Sequence, residues 1–209
     1  MDRDTLVIFG CGGHAHSAAD LALECGFSAL IFVDEKAIAN ETILGFPVVK
    51  NETNLPKHSR IFFAIGDGYR RERLREELPI QKWTVETLIS PGAHVAKSVT
   101  IGEGSFVGHG AYVGPGARVG QHCIINTGAV VEHESTVGDF SHISINAAVA
   151  GRSEIGKHCF LGANSTVLDG KSICNNTTVG AGAVVITNLS RSGTYVGVPA
   201  TEVVAKPLI

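Results

Sequence analysis

Residues 119–143 read VGQHCIINTGAVVEHESTVGDFSHI, and in them Val119, Ile125, Val131, Val137 and Ile143 stand six apart. The same register runs outward in both directions through Val95, Ile101, Val107 and Val113, and through Val149, Ile155, Leu161, Val167, Ile173, Val179 and Val185. Two residues before most of these stands a small side chain, as at Ser105, Ala111, Cys123, Ser135, Ala147, Cys159 and Ala183. Glycine often follows the aliphatic residue, as at Gly102, Gly108, Gly138 and Gly156. A period of six with one large apolar and one small residue suits a triangular coil. The aliphatic side chain fills the interior, the small one fits where two walls converge, and the glycine supplies the positive φ of a tight corner. Three units close one coil, and coils stack at the ~4.8 Å spacing of neighbouring strands. An antiparallel barrel would instead alternate with period two. The spacing predicts a parallel β-helix from about Pro91 to Val185.

The first half has another pattern. Thr5 to Phe9 and Ala29 to Val33 are β-type runs flanking a helical spacing over Ala15 to Cys25, which makes a βαβ unit. Arg60 to Ile65 reads as a further strand, Tyr69 to Leu78 as a charged amphipathic helix, and Trp83 to Leu88 as a last short strand. Two domains are expected, a Rossmann-like 1–89 and a β-helical 90–209 with a C-terminal tail, divided at Ser90-Pro91.

Composition narrows the partners. The 209 residues carry a formal net charge of −3, with Arg70-Arg71 the longest basic run, which argues against a nucleic-acid backbone as partner. No stretch nears the ~20 uninterrupted apolar residues of a spanning helix, and the charged opening Met1-Asp2-Arg3-Asp4 does not read as a secretory signal. A cytoplasmic location is the expectation. The five cysteines include no CxxC pair and read as reduced, small, buried side chains.

Gly10-Cys11-Gly12-Gly13-His14-Ala15 lies between the first strand and the first helix. It matches G-x-G-x-x-A, in which glycines let backbone amides and a helix N-terminus approach a phosphate. Asp34 closes the second strand where a carboxylate can bond a ribose hydroxyl. A plain tight turn is the alternative. Ninety residues hold only about half of a full dinucleotide-binding sheet, which favours a single nucleotide carried by something else over NAD.

The repeat sorts the histidines. His133 falls on a corner inside Glu132-His133-Glu134. A neighbouring carboxylate can hold the ring in one tautomer and suit it to general-base work; a solvated charged corner is the bland reading. His142 shares an outward column with Phe106, Ile124 and Phe160, an apolar wall that points to cover by another subunit, with three walls meeting in a trimer. His122 and His158 are expected to face solvent, and no set of histidines has metal-ligand spacing, so no metal is assigned.

Taken together, Gly-Cys-Gly-Gly-His, Phe32-Val33-Asp34-Glu35-Lys36, Ala64-Ile65-Gly66-Asp67, Glu132-His133-Glu134, Val137 to His142 and Tyr195-Val196-Gly197-Val198-Pro199-Ala200 resemble the NeuD/PglD-type sugar acetyltransferases of the hexapeptide-repeat superfamily, over essentially the whole length. The resemblance implies a left-handed coil, against the usual crossover rule; the trimer expected from the apolar column would be a homotrimer with active sites between subunits. It also implies acetyl transfer from acetyl-coenzyme A to the 4-amino group of a nucleotide-linked (UDP, dTDP or GDP) amino-dideoxy sugar made for surface glycans. Carried over residue by residue, His133 is the base and Glu134 its carboxylate partner. His142, Gly151, Ala163 and Ala181 meet the thioester or the pantetheine arm. Gly12, Gly13, His14, Asp34, Glu35, Lys36 and Gly66 contact the nucleotide sugar. Thr201 departs from the pattern, since many relatives carry a basic residue there. The competing readings are O-acetylation of a sialic acid or another sugar, a non-catalytic β-helix binding protein, and a nicotinamide oxidoreductase.

Overall fold

The computed structural model describes residues 5–53, 55 and 58–203; the charged opening discussed above lies outside the described residues. The α/β part contains β1 (Thr5–Phe9), α1 (Gly13–Glu24), β2 (Ala29–Val33), β3 (Thr42–Ile43), β4 (Phe46–Val49), β5 (Arg60–Phe63), α2 (Gly68–Glu77) and β6 (Thr84–Val85). The sheet order is β3-β4-β2-β1-β5-β6, with β1 parallel to both β2 and β5. Helix α1 buries Ala15, Ala18, Ala19, Leu21 and Ala22 on one face, the three-and-four spacing that its sequence showed. Among the described residues no helix is long and apolar enough to cross a membrane.

Two local features depart from the reading of the chain. Strands β3 and β4 form an unanticipated hairpin whose two-residue turn, Leu44-Gly45, has positive φ at both positions. That is the geometry that normally advertises itself as Asn-Gly, and leucine conceals it. The run Trp83 to Leu88 is split: Thr84–Val85 pairs with β5, whereas Leu88–Ile89 joins the coil by pairing with Phe106–Val107. The parallel ladder of coils thus begins before Pro91.

From Leu88 onward the chain forms a parallel β-helix with three walls of two-residue strands. The first wall carries Leu88–Ile89, Phe106–Val107, Ile124–Ile125, His142–Ile143, Phe160–Leu161 and Thr178–Val179. The second runs from His94–Val95 to Val184–Val185, and the third from Thr100–Ile101 to Ser172–Ile173. The six-spaced aliphatic residues point inward, and from Val107 to Val185 none is more than 3% exposed. The small residues two places earlier are also buried, and most of their polar atoms are matched, the Ser165 hydroxyl being the exception. Ser105, Ser135 and Ser141 Oγ donate to the carbonyls of Gly120, Ala150 and Gly156 at 2.9, 2.9 and 2.8 Å. The thiols of Cys123 and Cys159 do the same to Gly138 and Cys174 at 3.2 Å. All five cysteines are unpaired, yet only Cys123 and Cys159 are buried; Cys25 is exposed.

The glycines after the aliphatic residues have a different role from the one expected. Positive φ recurs at every sixth residue from Gly104 to Gly182, three places before each aliphatic residue, and is carried there by His122, Glu134, Phe140, Asn146 and Arg152 as well as by glycine. The glycines that follow the aliphatic residue instead allow coils to approach. A Cβ on Gly138 would lie 2.6 Å from the backbone of Gly156 and Lys157.

The outward column through Phe106 and Ile124 is covered by the chain's own α/β domain, not by another subunit. Leu88, Phe106 and Ile124 belong to one apolar cluster with Leu21, Phe32 and Phe62. Higher on the same wall Phe160 is 39% exposed. His122 and His158 do not face solvent either. They stack with Phe140 between them, at 5.1 and 5.4 Å, on the corner that packs against α2, where Tyr69 stacks on His158 at 4.4 Å. The expectation failed because the repeat tells which side chains point out of the coil but not what lies against them.

Two substitutions separate the two sets of corner residues. Gly138→Ala should lower stability by about 1–3 kcal/mol through overpacking against the next coil, whereas Asn164→Gly, at φ 57, should leave the protein as stable or slightly more so. Thermal melting of both variants checks the distinction; equal losses would remove it.

Candidate active site

The N-terminal turn is open on one side. At Gly10 φ is +109° and a Cβ would sit 3.0 Å from the Ala64 carbonyl oxygen, so this glycine serves the packing of β1 against the strand beside it. Gly12 and Gly13 are exposed, with no atom within 4 Å of where a Cβ would stand. No side chain caps the first turn of α1; the Ala15 amide donates to the Gly12 carbonyl at 2.9 Å, which leaves the Gly13 and His14 amides at the favourable end of the helix dipole. Asp34 ties this turn to β2. Its Oδ2 accepts from the Cys11 amide at 3.2 Å and its Oδ1 from the Lys36 amide at 2.9 Å. Burial would raise its pKa, but the Lys36 amide, the Cys11 thiol and amide and the Lys36 charge together more than offset that and hold it below the usual range. Glu35 and Lys36 are exposed beside it, and Gly66 is open where a Cβ would project.

His14 and His142 meet behind this mouth. His14 lies edge-on to Phe106 at 4.9 Å, and its Nε2 is buried without a partner. His142 projects from the first wall. Its Nδ1 lies 3.4 Å from the Gly66 carbonyl oxygen and its Nε2 3.2 Å from Asn126 Nδ2. Burial, with Arg71 nearby, lowers the His142 pKa to about 4; burial, with His142 and Arg71 nearby, lowers that of His14 to about 3. Both rings are therefore neutral at pH 7.

His133 stands on the corner between the second and third walls. The Glu132 and Glu134 carboxylates divide their work: Glu132 Oε2 accepts from the His133 amide at 3.0 Å, and Glu134 Oε2 lies 3.3 Å from His133 Nδ1. With Nδ1–H engaged by Glu134, the lone pair is on Nε2. Gly151, one coil further on, lies against that edge of the ring. A Cβ there would sit 2.5 Å from His133 Nε2 and 3.1 Å from Asp169 Oδ2. Gly151 is buried, and its amide has no hydrogen-bond partner among the described residues.

The chain thus sorts its expected site residues into three places. Gly12, Gly13, His14, Asp34, Glu35, Lys36, Gly66 and His142 surround the α/β mouth. His133, Glu134 and Gly151 share the corner between second and third walls. Ala163 and Ala181 lie on successive coils of the corner between first and second walls, where the Gly182 amide donates to the Ala163 carbonyl at 2.9 Å. The partners of His133 and His142 do not overlap. Thr201 pairs antiparallel with Val196 at the end of the coil. Sequence reading did not single out Asn126, which follows Ile125 at a corner. It also missed Arg71, which looked like half of a basic pair. A shallow concavity lined by Thr136, Glu154, Ser172 and Ser190 contains neither ring. Asp20, Glu24 and His109 bring donor atoms together where α1 meets the coil, with His109 Nδ1 also 2.8 Å from Ser90 Oγ.

Residues 5–78 match the family described as PglD N-terminal domain, residues 98–133 the bacterial transferase hexapeptide (six repeats), and residues 154–187 the hexapeptide repeat of succinyl-transferase. Among solved structures, PerB from Caulobacter crescentus, in complex with CoA and GDP-perosamine, is 36% identical with a TM-score of 0.86 over 95% of this chain and 96% of its own. The acetyltransferase domain of PglB from Neisseria gonorrhoeae FA1090, in complex with acetyl coenzyme A, is 29% identical with a TM-score of 0.89 over 96% and 99%. WeeI from Acinetobacter baumannii AYE shares the fold at 20% identity, with a TM-score of 0.68 over 95% and 99%. The whole-length matches to acetyltransferases, carried by an α/β domain docked on a coil of hexapeptide repeats, make the protein an acyltransferase. The chain belongs to the NeuD/PglD-type sugar acetyltransferases.

His14, His122 and His142 make the fold sensitive to acid. Burial first, with Arg75 and Arg71 adding to it, lowers His122 to about 4, so all three rings are neutral when folded and bind protons near pH 6.5 when unfolded. The unfolded chain then holds more protons below pH 6.5, and each ring removes up to ~1.4 kcal/mol per pH unit as pH falls from about 6.5 toward 4. Denaturant unfolding at pH 7.5, 6 and 5 should show a falling midpoint; a flat profile down to pH 5 would contradict the burial of these rings.

Proposed function

We infer that the protein transfers an acetyl group from acetyl-coenzyme A to the 4-amino group of a nucleotide-linked amino-dideoxy sugar. The observation that carries this reading is the His133 corner, where Glu134 engages Nδ1 and the Nε2 edge lies against Gly151, a buried glycine whose amide has no partner among the described residues. The amine attacks the thioester carbonyl directly, His133 Nε2 takes the proton as the C–N bond forms, and the Gly151 amide donates to the developing oxyanion. The thiolate of coenzyme A leaves as the tetrahedral intermediate collapses. No acyl-enzyme is needed. The open Gly12-Gly13 turn and the Asp34 loop hold the nucleotide diphosphate and its ribose. The bound ligands of PerB and of the PglB domain, GDP-perosamine with CoA and acetyl coenzyme A, support both halves of this assignment.

The working unit is a homotrimer. His133 with Gly151 occupies one corner, whereas His142 and Gly66 at the α/β mouth, and Ala163 and Ala181, occupy others. A complete site therefore forms when the His133 corner of one subunit meets the mouth of its neighbour, as closed three-fold symmetry allows.

His133→Ala should lower kcat at least about a hundredfold, the scale of general-base help, while acetyl-coenzyme A affinity stays nearly intact. Gly151→Ala should displace the ring at little cost to stability and lower kcat in the same sense. Thiol release is followed with a panel of UDP-, dTDP- and GDP-linked 4-amino sugars. Near-normal turnover by His133→Ala would overturn the base assignment, and release only with hydroxylated sugars would make the enzyme an O-acetyltransferase.

A further inference from the structure

Arg71 is 1% exposed although it comes from the charged helix α2. Its Nη1 donates to the carbonyls of Ile65 at 2.6 Å and Gly66 at 3.0 Å. Its Nε donates to the His122 carbonyl at 3.0 Å and its Nη2 to that of Phe140 at 2.8 Å. One guanidinium thus joins the loop before α2 to two successive coils. The Gly66 oxygen it holds is the same oxygen that faces His142 Nδ1. A carbonyl oxygen only accepts, so His142 carries its hydrogen on Nδ1. The other side of the ring makes the same demand independently. The Asn126 Oδ1 accepts from the Thr127 amide at 2.8 Å, which turns Nδ2 toward His142 Nε2 and requires a lone pair there.

We propose that Arg71 is a positioning residue for the acetyl-transfer site: by holding the Gly66 carbonyl it fixes His142 as the neutral ring protonated at Nδ1, and through His142 Nε2 it orients the Asn126 side-chain amide. The proposal rests on the function assigned above. The chain Arg71, Gly66, His142, Asn126 runs from the interior of the domain seam to the first corner of the coil, with each hydrogen assigned by its neighbour. The second hydrogen of Asn126 Nδ2 is left available to a ligand at the mouth. An Nε2-protonated His142 would oppose both partners at once.

The test reads the ring itself. In uniformly 15N-labelled protein at pH 7.5, long-range 1H–15N correlation should show His142 as the Nδ1–H tautomer, assigned by the loss of its signals in His142→Gln. An Nε2–H ring in the wild-type protein would overturn the proposal. Arg71→Met should convert His142 to a tautomer mixture and lower kcat tenfold or more, with the KM for acetyl-coenzyme A changed less than threefold. Arg71→Lys, which keeps the charge and one carbonyl contact, should recover part of both. A folded Arg71→Met protein with an unchanged tautomer and kcat would overturn the assignment; if that variant does not fold, the same result in Arg71→Lys decides it. Asn126→Asp, outside the seam, should draw a hydrogen onto Nε2, and an unaltered ring there would count against the chain. The tautomer is read without substrate, so failure to find acetyl transfer would leave this result standing.

Discussion

In the β-helix each coil takes its backbone partners from the next, with the amides of His94, Tyr112 and Val130, for example, donating to the carbonyls of Ala111, Ala129 and Ala147 at 2.8 to 2.9 Å. Unpaired amides in so narrow a coil would be costly, so the eighteen-residue register has to be kept. Every other position follows from it. An aliphatic residue out of step would point to solvent, and a small residue out of step would leave the converging walls either empty or overfilled. Most hydroxyl and thiol donors at the small positions show the same constraint at finer scale: for Ser105, Cys123, Ser135, Ser141, Ser153 and Cys159 a carbonyl fifteen residues on accepts from them.

Register places groups on corners, but the α/β domain determines what those corners meet. Its docking is secured by a buried cation, an arrangement that is costly unless the geometry is good. Arg71 meets that condition with four carbonyl acceptors, and each bond to a charged group contributes about 1.5–3 kcal/mol. Burial lowers its pKa only to about 10, which leaves it charged at neutral pH. The stacked rings of His122, Phe140 and His158 widen the same contact with flat surfaces, and Leu88, Phe106 and Ile124 add apolar area beside it. The seam brings Gly66 to His142, so a feature of stability and a feature of the site have one origin.

The parts of the molecule that were legible in the chain are those whose physical cause is periodic. Inward aliphatic residues repeat, so the coil could be read; α1 shows helical spacing, so it could be read too. The hairpin at Leu44-Gly45 was hidden because leucine rarely holds positive φ. The run Trp83 to Leu88 hid a transfer between two sheets, since both halves have ordinary strand composition. The corner glycines were legible as necessary but misassigned, because a requirement for close approach and a requirement for positive φ favour the same residue. Asn126 and Arg71 carried no signal of their own; their importance is created by His142, sixteen residues from Asn126, and for Arg71 by the His122 and Phe140 carbonyls of the coil together with the nearby Ile65 and Gly66 carbonyls.

The sequence by itself determined the coil, its register, the glycine-rich turn and the corner that presents His133 between two glutamates, because each depends on neighbours in the chain or on a fixed interval. Only the tertiary structure decided which outward surfaces are covered by the chain itself and which histidines are buried and neutral. It also decided how Arg71, Gly66, His142 and Asn126 share their hydrogens. Those outcomes depend on how one domain seats on another, and the seating is set by shape and by buried polar partners that no interval in the sequence encodes.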